Sequence, residues 1–481
     1  RARAERLLQF TVCEPAMGSA AFLNEAINQL AEKYLELMQN AEDERIPQQD
    51  YLGELQKVKM YLADNNVYGI DLNPIAVELA EVSLWLNALS ADRFVPWFGM
   101  QLYNGNSLVG ARREAYTLSQ IAAKNNDSQQ WLKQAPKAIP MNAPRPTGQA
   151  EGQKEGQAEA RIWHFLLPAS GMANYKDKEV KSLNPADFKL LGEWRNDFLK
   201  PFDRDEQQRL EKLSAKVEEL WQLHAEQQRS IRQKTTDPYD IYGMASTGRT
   251  QTSLDFKDKV LAQELHAQGL SNSSAFGRLK LAMDYWCALW FWPIAQADDL
   301  PSREEWLFEL ESLLLGDTIS SRIGEQQGLF ADTQNPDEGK KFINQHGVVD
   351  TKLLKQAFPR FQLADEIANQ HKFFHWPLHF ADVFAGRGDA KGDGQGDASQ
   401  ATDAAEQGGG FDLMLGNPPW LLVGWNSSAV LGDFEPLLVL RNFSANKAEG
   451  LRDDIFTKNT DVLKAWLAEY QQSSGTQNFI G

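Results

Sequence analysis

A doubly wound α/β fold, with a parallel sheet covered by helices and a large, mainly helical insertion, is the class this sequence predicts. Three stretches carry that prediction. "LQFTVCEPAMGSAAF" runs from a short apolar strand through a small-residue turn into a helix. "NNVYGIDLNP" is a second short strand, ending in an acid and leading into another helix. "FDLMLGNPPW", far downstream, is a buried-looking strand halted by an amide, two prolines and an indole. Strands alternating with helices imply parallel pairing through crossover connections.

The elements follow in order. "AFLNEAINQLAEKYLELM" and "IAVELAEVSLWLNAL" read as amphipathic helices, and "YNGNSLVG" is a turn-rich stretch after the second. Residues 1–112 therefore form the first part of a cofactor-binding domain. Residues 113–370 form a mostly helical insertion, opened by the flexible-looking "APKAIPMNAPRPTGQAEGQKEGQAEA". Within it, the charged run from Asp205 to Lys234 reads as a solvated helical face. "FGRLKLAMDYWCALWFWPI" reads as an aromatic helix stopped by Pro293, with Trp286, Trp290, Phe291 and Trp292 in its packing. Residues 371–481 resume the first domain, with a Gly/Asp-rich flexible loop over 385–410.

Composition bounds the function. Only two cysteines occur, Cys13 and Cys287, far apart and without metal spacing, which fits a reducing, cytoplasmic setting. No run reaches the roughly 18 apolar residues of a membrane span, so no membrane partner is expected. His371, His375 and His379 have a helical spacing that invites a metal, but Pro377 breaks that helix and no thiol or carboxylate motif completes the set. No metal is expected. The net charge of −17 argues against a surface that tracks nucleic acid throughout, while leaving room for a local basic groove.

The glycine loop and the acid after the second strand point to a nucleoside ligand. Small side chains let a ligand approach the backbone, and a helix N-terminus offers unpaired N–H groups. Asp71 ends the second strand, where a carboxylate can accept from a ribose diol. Neither G-x-G-x-x-G nor a Walker pattern is present, and Glu14 would repel a pyrophosphate. S-adenosylmethionine, with a ribose, a sulfonium and an amino-acid tail but no phosphate, suits such a loop.

The halted strand then acquires a chemical reading. The Asn417 carboxamide oxygen and the Pro418 carbonyl can both accept from one exocyclic –NH2 group. Pro418 and Pro419 fix the direction of those acceptors, and Trp420 offers a face for stacking a planar base. Drawing density onto an amine nitrogen, and holding it in place, favours its attack on a sulfonium methyl group.

"EPAMGSAAF", "YGIDLNPIAVELAEVSLWL", "GNSLVG", "FFHWPLHFADVF" and "FDLMLGNPPW" together resemble the amino-methylating N6-adenine DNA methyltransferases. The resemblance is to the type IIG restriction-modification branch and to the large phage-defence methyltransferases of the BREX and DISARM systems. It covers roughly residues 9 to 112 and 371 to 425, less than half the chain. Family members usually read D-P-A-C-G-S-G in the first motif, from which Glu14, Met17 and Ala20 depart.

The resemblance implies a Rossmann-like S-adenosylmethionine-dependent fold and a set of roles. Glu14, Ala16, Gly18 and Phe22, with Pro15 in the same loop, would line the methionine and sulfonium end. Asp71 would hold the ribose, Leu72 would lie beside the adenine, and Asn106 would sit near the adenine edge. Asn417, Pro418, Pro419 and Trp420 would take a target adenine swung out of double-stranded DNA. Such an enzyme marks its own DNA within a restriction-modification or phage-defence system, alongside other defence subunits. The class also implies further strands and a target-recognition domain beyond these residues. Two alternatives stay open: a methyltransferase acting on RNA bases or on a protein glutamine amide, and a scaffold subunit that binds cofactor without catalysis.

Overall fold

The structure, a computed structural model, describes residues 1–89, 95–121, 130–141, 160–244, 251–265, 274–316, 349–386, 409–417, 424–441 and 445–481. It is a Rossmann-like α/β fold with a large, mainly helical insertion. The main sheet holds β1 (Val12–Glu14), β2 (Val67–Asp71), β3 (Leu102–Asn104) and, from the far end of the sequence, β7 (Leu413–Met414). Their order is β3-β2-β1-β7 and every pair is parallel. β1 is thus the switch strand: the chain leaves it towards β2 on one side and finds β7 on the other. In open α/β sheets that is where a ligand crevice forms, beyond the carboxyl ends of the strands.

Alternating side chains explain how both faces are covered. Val12, Val67 and Leu102 face one layer of helices, α2 (Ala21–Glu42), α3 (Gln48–Asn65) and α4 (Pro74–Ala88), together with Leu23, Ile27, Ala80 and Leu84. Helix α1 (Ala2–Leu7) joins this layer through the buried Ala4. Cys13, Tyr68 and Ile70 face the other way and meet Phe374, Phe380 and Val383 of the "FFHWPLHFADVF" stretch.

The insertion begins with strands. β4 (Glu114–Thr117) pairs antiparallel with β5 (Lys137–Ala138) and with β6 (Arg161–Trp163), so part of the Pro-rich stretch expected to be loop forms an edge strand. Residues 142–159 of that stretch and 387–408 of the Gly/Asp-rich one lie outside the described residues. The helix Arg204–Thr235 starts at a capping box between Asp203 and Glu206 and is amphipathic, burying Leu210, Leu213, Val217, Leu220 and Trp221.

The aromatic helix runs from Ala275 to Ala288, ending before Pro293. The Trp290 and Phe291 N–H groups donate three residues back, to Cys287 O (3.1 Å) and Ala288 O (2.9 Å), and Leu289 O, whose ladder partner would be the N–H that Pro293 lacks, accepts from the Ala173 N–H (2.8 Å). Trp286, Trp290, Phe291 and Trp292 are all buried in the core.

The three histidines do not share a helix. His371 closes the helix Pro359–His371, Lys372 turns left-handed at φ +55°, and Pro377 lies in the first turn of the short helix Trp376–His379. His375 is fully buried; its Nδ1 accepts from the Ala111 N–H and its Nε2–H donates to Asp284 Oδ1, both at 2.9 Å. Lys280 lies 2.6 Å from the other Asp284 oxygen. Burial alone would raise the Asp284 carboxyl, but Lys280 and His375 together outweigh it and hold it at about 2. This buried charge network fastens the insertion to the segment that covers the sheet.

Candidate active site

Glu14, Asp71 and the chain leaving β7 meet at the carboxyl end of the sheet. The turn after β1 is held by backbone bonds: Met17 N–H donates to Ile70 O (3.1 Å) and Ala20 N–H to Met17 O (2.8 Å). Gly18 has φ +52° and Ala20, the N-cap of α2, φ +62°. Ala20 therefore accepts a left-handed backbone that glycine adopts without strain. Met17 is buried over Gly69, where an added Cβ would lie 2.3 Å from the Met17 sulfur. The departure at Met17 is thus a packing solution: its side chain occupies the space that Gly69 leaves.

Asp71 organises this turn. Its Oδ2 accepts the Gly18 N–H and its Oδ1 the Asn73 N–H, both at 2.8 Å. Each oxygen keeps a further lone-pair direction, so the carboxylate can still accept from a diol. Asn104, at the end of β3, braces the acid from below by donating to Asp71 O (3.0 Å) and Leu72 O (2.9 Å). Leu72 and Phe22 lie 57% and 48% exposed at this edge, two large apolar side chains that a ligand would cover.

Glu14 is only 2% exposed, and its Oε2 has no hydrogen-bond partner among the described residues. Burial raises its carboxyl to about 7; the Leu23 N–H pulls the other way, and Asp71 adds to the rise. A buried acceptor left without a donor is costly. A ligand bearing an ammonium group would relieve that cost, so the donor set fits the amino-acid end of S-adenosylmethionine.

Asn106 begins the stitch between the "GNSLVG" turn and the segment over the sheet. Its N–H donates to Lys372 O (2.6 Å) and the Phe374 N–H donates to Val109 O (2.9 Å). Gly110 permits this approach, since a Cβ there would lie 1.9 Å from Phe374 O. The Asn106 side-chain oxygen accepts from the Leu108 N–H (3.1 Å), which leaves its –NH2 as the group it can offer a ligand.

β7 delivers Asn417 to the same edge. Leu415 N–H donates to Cys13 O (3.0 Å), and a Cβ at Gly416 would sit 3.6 Å from Glu14 Cγ and 3.7 Å from Pro15 Cδ. The chain leaving β7 therefore lies against the turn that leaves β1, and Asn417 follows directly. Pro418, Pro419 and Trp420 lie outside the described residues.

Sequence reasoning missed Thr11, Asp412 and Asn104. Asp412 Oδ2 accepts from both the Thr11 N–H (2.8 Å) and the Thr11 hydroxyl (2.9 Å), which fixes the start of β7 against β1. The signal available was an acid opening an apolar strand and an amide closing another.

With this geometry in place, the comparisons with known proteins become specific. Residues 1–135 match the family model of the MmeI DNA-methyltransferase domain. The chain is similar to methyltransferases of restriction-modification systems. A protein of Methanocaldococcus jannaschii, inferred to be a type II restriction enzyme and methyltransferase, is 29% identical over 119 residues. That match takes in 23% of this chain and 9% of the relative, so the chain spans about a tenth of that protein's length. Neither similarity reaches the BREX or DISARM methyltransferases specifically. No solved structure matches the chain. Among the described residues no helix is long and apolar enough to cross a membrane, and no group of three or more His, Cys, Asp or Glu could hold a metal ion.

Proposed function

We propose that this chain methylates adenine N6 in double-stranded DNA with S-adenosylmethionine, as the self-marking component of a cytoplasmic restriction-modification or phage-defence system that includes other subunits. One observation supports the reading: Gly416, directly before Asn417, packs against Glu14, a buried carboxylate with one oxygen that has no hydrogen-bond partner among the described residues.

S-adenosylmethionine, when bound, supplies an electrophilic methyl group. Glu14 pairs with its ammonium, Pro15, Ala16 and Gly18 admit the tail against backbone, and Phe22 covers it. Asp71 takes the ribose hydroxyls, Leu72 packs on the adenine, and the Asn106 –NH2 meets the adenine edge. Asn417 and the Pro418 carbonyl accept both N–H bonds of the target amine, which orients N6 and enriches it in electron density. Pro419 stiffens the turn and Trp420 stacks on the extruded base.

Tritiated-methyl transfer by the full-length protein to unmethylated DNA, followed by identification of the labelled base, tests this. Label in N6-methyladenine is the expected result. Label confined to RNA or protein would replace the substrate class, and cofactor binding without transfer to any acceptor would favour a scaffold.

A further inference from the structure

Helix α4 is apolar on two opposite faces, where the sequence alone suggested one. Val77, Ala80, Leu84 and Ala88 are buried, turned inward to the layer that covers the sheet. Ile75, Leu79, Val82 and Leu86, with Leu89 just beyond, point the opposite way and are 49–62% exposed. Their spacing alternates four and three residues, the repeat by which one helix receives another. Singly exposed apolar residues need no account, but a continuous stripe along about 20 Å of one helix does. The inward face already attaches α4 to the domain, so the outward stripe serves no folding purpose among the described residues.

The borders of the stripe say what fits it. On one side stands α2, tied to α4 where Asn24 Nδ2 donates to the Ser83 hydroxyl (2.7 Å) and Asn87 Nδ2 donates to Asn24 O (3.3 Å). On the other side run Glu78 and Glu81, with Asp258 of the helix Leu254–Leu265 close by, and α4 carries no Lys or Arg. Burial first, then Glu78 and Asp258, hold the Glu81 carboxyl above its ordinary value. An antiparallel second copy of α4 would bring Glu78 and Glu81 against their own images, and an anionic lipid surface would be repelled.

We propose that the outward face of α4 is a docking site for an amphipathic helix of a separate protein, one whose apolar stripe is edged with Lys or Arg. Apolar contacts along Ile75, Leu79, Val82 and Leu86 supply affinity, and pairing with Glu78 and Glu81 selects the partner. The docked helix would lie beside the crevice, because Leu72 and Ile75 bracket the turn that follows Asp71.

Two fluorescein-labelled peptides of about three heptads test this, both with Leu at the a and d positions, one edged with Lys and the other with Glu. Titrated against the full chain, the Lys peptide is expected to bind at least about tenfold tighter than the Glu peptide, and to weaken as salt rises. Leu79→Ser with Leu86→Ser should abolish binding, with folding checked by circular dichroism. Glu78→Lys with Glu81→Lys, which leaves the apolar stripe intact, should reverse the preference. Equal binding of both peptides, or binding that survives the serine substitutions, would overturn the proposal. So would self-association that the serine pair abolishes in ultracentrifugation, which would make the occupant a second copy, or attachment to phosphatidylglycerol vesicles.

Discussion

Asp412 grips Thr11 twice: one carboxylate oxygen accepts both its N–H and its hydroxyl, while the Asp412 N–H donates to Thr11 O (3.1 Å). Thr11 is buried while Asp412 is exposed, so the pair fixes the register of β7 on β1 at the edge of the sheet. That register places Gly416 against Glu14. Asp412→Ala leaves two buried donors unpaired and should cost about 1–3 kcal/mol. It should also lower methyl transfer more than cofactor affinity, since Asn417 loses its anchor while the Gly18 turn does not. Asp412→Asn, which keeps one acceptor oxygen, should fall between. Denaturant unfolding and single-turnover transfer check both; an Asp412→Ala variant with normal transfer would separate the clamp from the site.

Glu14 predicts a pH dependence with a definite sign. Its carboxyl, raised to about 7, must be ionised to meet a cation, so cofactor affinity should rise between pH 6 and 8. In the cofactor-free protein the sign is opposite. A folded-state value above the unfolded one favours the protonated fold, and that contribution is lost as pH rises through about 7. Glu14→Gln should weaken cofactor binding by about 1.5–3 kcal/mol and flatten its pH profile. Calorimetric titration at several pH values reads both effects.

Five imidazoles predict acid sensitivity. Burial lowers His164, His224 and His371 to about 4, His379 to about 3, and His375 below its ordinary value despite Asp284. The unfolded chain takes up protons that the fold refuses, so stability should fall as pH drops below about 6.5. Each ring that stays neutral contributes up to about 1.4 kcal/mol per pH unit to the slope. Thermal unfolding between pH 8 and 5 measures it; a flat profile would mean the rings are hydrated.

Gly69 and Met17 should couple. A methyl at residue 69 falls 2.3 Å from the Met17 sulfur and 3.2 Å from Leu102 Cδ2. Gly69→Ala is expected to cost about 1–3 kcal/mol through overpacking. Adding Met17→Ala opens that space, so the double variant should be more stable than the sum of the singles. Additive losses would show that Met17 is not the obstacle.

The sequence made the frame of the site legible because its residues are local. Glu14, Gly18 and Asp71 each end or follow a strand, and "FDLMLG" reads as a strand without its partners, though as a buried one, whereas Leu413 and Met414 are exposed at the open edge of the sheet. What stayed hidden depends on tertiary pairing. The Thr11–Asp412 clamp joins residues 401 positions apart, which no periodicity can reveal. β5 is two residues of edge strand within a stretch whose composition reads as loop. The donors that meet the carbonyls beyond the Ala275–Ala288 helix, at Ala173 and Tyr175, are distant in sequence. The second face of α4 stayed hidden because one apolar stripe already satisfies an amphipathic reading, and only burial separates the inward stripe from the outward one.

The central claim is that Asn417 acts on the target amine while Glu14 and Asp71, not Asn417, hold the cofactor beside it. Measuring methyl transfer to DNA and cofactor affinity together in Asn417→Ala tests it most directly. Transfer should fall by on the order of 100-fold or more while affinity stays within about threefold of the parent. Transfer at the parent rate, with affinity unchanged, would contradict the account.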